Sequence, residues 1–169
     1  MDTYESIATK LDIREFSSKS VPTEVKRKVL EAARLTQSGR NLQHWRFILV
    51  QRKENLKRLA DDSISGKWVA RADFAVIVLT NPKYPFHLLD AGRVTQDMEL
   101  AAWNYGVGSG IYTGFDRRSL GRDFGIPEEL NPSVIIGFGY PMRRIVGKKS
   151  RKSLAELAFL EKYGEKLEF

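Results

Sequence analysis

The chain has no cysteine, and among its 169 residues only two are histidine, His44 and His87. The missing thiols exclude disulfides, thiolate metal sites and a cysteine nucleophile together, and two histidines so far apart argue against a histidine-rich metal centre. Redox chemistry, if this chain performs any, has to come from a bound cofactor. No apolar run is long enough to span a bilayer, and the opening MDTYESIATK is acidic and lacks an apolar signal core. A soluble, cytoplasmic protein with no membrane partner is therefore expected. Two nucleotide-binding fingerprints are also missing. Glycines 106, 108, 110 and 114 do not fit Gly-x-Gly-x-x-Gly, and no Walker A pattern occurs.

What is present suits one domain over residues 1–169, since 42% of the residues are hydrophobic and the length is short for two cores. Tyr4, Ile7, Ala8 and Leu11 recur at helical spacing and predict a first helix with its apolar stripe turned inward. A second helix starts around Pro22 and carries Val25, Val29, Ala32 and Ala33. Phe47 to Val50 and Phe74 to Leu79 read as strands buried on both faces, with a short helix at Leu56, Leu59 and Ala60 between them. From Leu88 to Tyr105 a helix is apolar on more than one side, with Val94, Met98 and Ala102 on one and Leu100 and Trp103 on another. Gly106 to Phe115 reads as a glycine-dense strand, Asp116 as the cap of a short helix, and Ser133 to Gly139 as the last main strand. Ser153 with Glu156 predicts a capping box opening a helix through Leu154, Leu157 and Leu160. Strands alternating with helices indicate an α+β or α/β sandwich with a mixed sheet.

The net charge of +7 is concentrated. Arg143, Arg144, Lys148, Lys149, Arg151 and Lys152 crowd into one segment without an acid, and setting them aside from the 28 basic residues leaves near balance with the 21 acidic ones. A nucleic-acid binder spreads its basic face over several elements, so nucleic acid is a poor expectation and one phosphate, or a solvated loop, a better one. A nucleic-acid-binding protein that uses residues 143–152 and no cofactor stays as the alternative from another class. Thr36 to Phe47, TQSGRNLQHWRF, crowds Ser38, Gly39, Arg40, Asn41 and Gln43 between a helix and a strand anchored by Trp45 and Phe47. It is either an ordinary connection or a cradle of hydrogen-bonding groups for a planar polar ligand.

The spacing Ser38, Asn41, Gln43, Trp45 resembles the Pro-Ser-x-x-Asn-x-Gln-Pro-Trp signature of the nitroreductase family, whose members bind FMN. Gln37 and His44 stand where prolines are usual, which implies a less rigid loop. Lys10 to Phe16, KLDIREF, resembles the family's Arg-Arg-Ser-x-Arg-x-Phe motif, and Lys149-Ser150-Arg151 is similar to its phosphate-closing Lys-x-Arg. The resemblance implies a three-layer α/β/α sandwich with a mixed, mainly antiparallel sheet. It also implies non-covalent FMN, with Ser38, Arg40, Asn41 and Gln43 among its contacts, and a homodimer with sites at the interface, Lys10, Arg14, Lys149 and Arg151 coming from one subunit and part of the Ser38 to Gln43 loop from the other.

Within that resemblance Lys10, Lys149 and Arg151 are expected at one phosphate and Arg14 at the flavin's pyrimidine edge. Asp12 replaces the usual serine, as in the flavin-destructase branch; it either marks a subgroup or caps a turn away from the ligand. The amides of Thr113 and Gly114 are expected beside flavin N5. Tyr84, Phe86 and His87 are candidates for the face above the ring. No general acid or base is nominated, because hydride transfer needs stacking and orientation from the protein. The implied activity is ping-pong hydride transfer from NADH or NADPH to nitroaromatic, quinone or similar acceptors, with a flavin-destructase or dehalogenase relative as the alternative within the fold. Residues 153–169 are expected to pack on the partner subunit.

Overall fold

The computed structural model describes residues 2–143, 145 and 149–168. Of the basic segment, Arg144 and Lys148 lie outside the described residues. Four strands form the sheet: β1 (Arg46–Val50), β2 (Phe74–Thr80), β3 (Gly108–Tyr112) and β4 (Asn131–Gly139), in the order β1-β2-β4-β3. Every ladder is antiparallel, so the mixed character expected of the sheet reduces, among the described residues, to one parallel bridge from Asp12 to Ser109.

Strand alternation splits the core into two layers. Phe74, Val76 and Val78 of β2 point to one face with Val134, Ile136 and Phe138 of β4, while Ala75, Ile77 and Leu79 point to the other with Ile135. The first face is covered by α2 (Thr23–Leu35) through Val29 and Ala33 and by α4 (His87–Asn104) through Val94, Met98 and Ala102. The second is covered by α3 (Lys53–Asp61) through Leu56 and Leu59, by Val69 of a 3-10 turn, Lys67–Arg71, and by Leu120 of α5 (Arg117–Phe124). At about 1.5–3 kcal/mol per buried aliphatic or aromatic side chain, these two layers are the main source of stability. Between them, β2 is buried at every position, as its unbroken apolar run requires, whereas β1 is an edge strand and only Val50 is fully covered.

Both predicted caps form. Asp116 accepts the Ser119 N–H at 2.7 Å to open α5, and Ser153 and Glu156 make a reciprocal box at α6 (Leu154–Leu157). Two expectations fail at the ends of the chain. Helix α1 (Thr3–Thr9) does not turn its apolar residues inward: Tyr4 is 81% exposed, and the residue it buries is Ser6. The final helix does not run to Leu160 but stops after one turn, since Ala158 is extended. Leu154, Leu157 and Tyr163 consequently stand exposed, at 62%, 60% and 91%. A one-turn helix cannot bury a stripe against its own sheet, so the periodic leucines lack the cover that their spacing predicted.

Candidate functional site

The loop after α2 is held by a buried carboxylate that lies far from it in sequence. Asp90, on the first turn of α4 and fully buried, accepts the Gly39 N–H at 2.9 Å and faces His44 Nε2 at 3.1 Å. The Asn81 N–H donates to His44 Nδ1 at 3.3 Å, which leaves Nε2 as the nitrogen that carries the proton toward Asp90. Thr36 at the end of α2 reaches Asp97 of α4 at 2.6 Å. Where His44 replaces the usual proline, the imidazole is buried and tied at both nitrogens. Within the loop, Ser38 Oγ accepts the Gln43 N–H at 2.9 Å and the Gln43 amide turns back on Asn41. The bend is tight. Arg40, Asn41 and Gln43 all have left-handed backbone, with φ of 54°, 54° and 47°, a conformation that costs side-chain-bearing residues energy and persists where surrounding contacts enforce it.

Tyr84 and Phe86 belong to this corner. Their rings stack 5.9 Å apart, Tyr84 lies 5.2 Å from the His44 ring, and Phe86 presses on Gly39 so closely that an added Cβ would sit 2.5 Å from it. His87 Nδ1 is 2.8 Å from Thr80 Oγ1, which also meets Ser133. Burial, then the nearby His44 and Arg117, hold the His87 pKa below its ordinary value.

The second predicted strip lies along the opposite edge of the sheet. Ile13 donates its N–H to Ser109 of β3 at 2.7 Å, Ser17 to Tyr140 at 2.8 Å and Met142 to Glu15 at 3.1 Å, so residues 12–17 run between β3 and the end of β4. Arg14 is exposed over the Trp68 ring at 5.8 Å and, with Asp12, Glu15, Met142 and Arg143, lines a cleft of about 300 Å³. Lys149 reaches the carbonyl of Ile7 on the last turn of α1, three residues before the Lys10 strip begins, which brings Lys149 close in sequence to the N-terminal motif. Arg151 is exposed and touches only the Ser150 carbonyl among the described residues. Lys10 does not join them in the open. Its side chain is turned inward, with Nζ 2.5 Å from Asp12 and 2.8 Å from Glu99 of α4, and Ser109 Oγ donates to the same Glu99 oxygen at 2.8 Å.

Beyond β3 the backbone of Thr113 and Gly114 is partly open, and among the described residues neither N–H meets a protein acceptor. At Gly114 an added Cβ would lie 2.9 Å from Ser65 Oγ. A roomier cleft of about 650 Å³, lined by Arg117, Arg118 and Arg122 of α5, holds none of the sequence-predicted residues. The described residues contain no group of acids and histidines arranged to hold a metal, and no helix long and apolar enough to cross a membrane.

The sequence reading missed Asp90 and Glu99. Both lie on α4, nine residues apart, which at about 100° per residue puts them on opposite margins of the helix's buried half. An acid at each border of an apolar stripe was the available signal.

The family model described as the nitroreductase family matches residues 7–81 and again 66–140. This chain belongs to the nitroreductase family. An Archaeoglobus fulgidus protein, provisionally named as an NADH dehydrogenase/NAD(P)H nitroreductase, is 33% identical over 149 residues, covering 83% of this chain and 86% of that one. An iodotyrosine deiodinase from Thermotoga neapolitana is 23% identical over 163 residues, covering 82% of this chain and 88% of the relative. Among solved structures, an FMN-dependent nitroreductase from Clostridium difficile superposes with a TM-score of 0.88 at 20% identity, over 95% of this chain and all of the other. The three-layer nitroreductase fold is thus established, and an oxidoreductase role follows at the level of the family.

Proposed function

We propose that this protein is an FMN-dependent oxidoreductase that works as a homodimer, taking hydride from NADH or NADPH and delivering it to nitroaromatic, quinone or similar acceptors. The observation that carries the reading is the separation of the two motif-bearing corners. The Ser38–Gln43 loop enters edge strand β1, while the Lys10–Phe16 strip and the Thr113–Gly114 amides lie along edge strand β3. Two strands intervene, so three inter-strand spacings of about 4.8 Å, or roughly 14 Å, separate the edges. That separation supports a site completed by a two-fold partner, which would bring its loop to the other's strip.

The residues present fit FMN. Lys149 and Arg151 would supply directed positive donors for the phosphate, Arg14 would face the polar edge of the ring system, and the Thr113 and Gly114 amides, unpaired among the described residues, would suit a ring-nitrogen acceptor. When bound, FMN accepts a hydride at N5 and passes it on, chemistry that no side chain of this cysteine-free protein provides. The protein's share is to orient, to exclude water and to neutralise the phosphate. Exposed Tyr4 on α1, exposed Leu88 and Leu89 at the start of α4, and the exposed Leu154, Leu157 and Leu160 supply apolar surface for a partner.

The test is the visible absorption spectrum of the purified protein, reconstituted with FMN, before and after anaerobic addition of NADH or NADPH. An oxidised-flavin spectrum that bleaches on addition supports the reading. Failure to retain FMN contradicts it. The relation to the deiodinase makes a halogenated tyrosine a necessary member of the acceptor screen that follows.

A further inference from the structure

The Lys10 cluster has more negative than positive charge. The ammonium of Lys10, 8% exposed, spends two donors on Asp12 and Glu99, and Glu99 is itself 5% exposed and fixed by Ser109. One positive charge therefore meets two carboxylates, and of the three side chains only that of Asp12 is open to solvent, at 54%. Any anion that approaches this point from outside meets the Asp12 carboxylate before the Lys10 ammonium.

We propose that Asp12 is a specificity-determining residue that masks Lys10 from the flavin phosphate. Among the described residues the phosphate of FMN is then left to Lys149 and Arg151, and the preference of the site for FMN over riboflavin, which shares ring and ribityl chain but has no phosphate, is small. The inference rests on the flavin reading given above. The geometry explains the division of labour. Glu99 is buried and bound by Ser109, so it cannot leave Lys10, and its charge alone balances the ammonium. Asp12 is the surplus acid. Its backbone is anchored by the bridge to Ser109, and its carboxylate is tied to the Lys10 ammonium at 2.5 Å. With Glu99 already balancing Lys10, a phosphate dianion placed there meets the uncompensated charge of Asp12, whose carboxylate lies 2.5 Å from the Lys10 ammonium.

The experiment compares dissociation constants for FMN and for riboflavin, by quenching of flavin fluorescence, in the full chain and in Asp12→Ser. The serine variant should bind FMN about tenfold more tightly, with riboflavin unchanged within about twofold, since a removed like charge a few ångströms away acts on the phosphate only. Asp12→Asn, which keeps the shape, should reproduce the gain and guards against a folding effect of serine. Adding Lys10→Met to Asp12→Ser should erase the gain. Flavin binding in which FMN affinity stays level or falls in both Asp12 variants, while riboflavin still binds, overturns the masking and leaves the flavin reading intact. Binding of neither flavin by any of the proteins overturns both.

Discussion

The two corners that carry the family's motifs treat a departure from the motif in opposite ways. At the β1 edge, a histidine stands where proline is usual, and a buried acid of α4 uses it to tie the loop: Asp90 holds His44 on one side and the Gly39 amide on the other. At the β3 edge an aspartate stands where serine is usual, and a buried acid of the same helix already occupies the cation that the motif offers. The first substitution is absorbed by the scaffold. The second is exposed and adds a negative charge beside Lys10. The difference teaches that the cost of leaving a motif depends on whether the scaffold beneath has a free partner. His44 meets a carboxylate that it shares with the Gly39 amide and Arg93; Asp12 meets an ammonium that Glu99 already balances.

The largest effect that would break this comparison is at Asp90. Asp90→Ala orphans the Gly39 amide and His44 together, and should cost about 3 kcal/mol in urea unfolding, because buried hydrogen bonds to a charged group are worth about 1.5–3 kcal/mol each and are not additive. Next, Glu99→Gln should cost about 2 kcal/mol by the same assay. It leaves Lys10 paired with Asp12 but removes the buried charge that balances it. A loss below 0.5 kcal/mol in either would mean that the acid only fills space.

His87 gives a pH test of the first corner. Its folded pKa lies below the ordinary 6.5, chiefly because burial penalises the charged ring, so the unfolded chain takes up a proton first as pH falls. Stability should therefore hold above pH 6.5 and decline as pH drops below it toward the depressed value. His87→Asn should flatten that part of a Tm-against-pH profile; an unchanged slope would assign it to other groups. The smallest effect sharpens the reading of the strained bend. Asn41→Gly, at φ 54°, should raise stability by a few tenths to about 1 kcal/mol, since glycine adopts left-handed backbone without steric cost. If the thermal melt shows a loss instead, the Asn41 side chain, which Gln43 engages, contributes more than the backbone strain costs.

Most of the fold was legible because burial imposes periods. The unbroken apolar run of β2, the stripe of α2 and the caps at Asp116 and Ser153 each follow from local rules that the structure obeys. The ends of the chain were misread for one reason. Tyr4, Ile7, Leu154 and Leu157 have the spacing of a core-facing stripe, but a stripe does not say which core, and none of these four is buried in its own chain. The site was legible as a set of motifs and not as a place. Nothing in the sequence puts Ser38 and Lys10 at opposite edges of one sheet; that follows from the strand order, which nonlocal pairing decides. Asp90 and Glu99 were invisible as site residues because a lone acid in a helix is ordinarily solvated, and their partners are 51 and 89 residues away.

The central claim is that two copies complete one site, the loop corner of one meeting the strip corner of the other. Subunit complementation tests it most directly. Arg151→Glu damages the strip corner and Asn41→Ala with Gln43→Ala the loop corner, so each homodimer should lose flavin. Hybrid dimers, purified through two different affinity tags after coexpression, carry both lesions in one site and none in the other. They should regain about half of the wild-type flavin content, as two-fold symmetry requires. Hybrids as empty as their parents, beside a wild-type protein that binds flavin, would contradict the shared site.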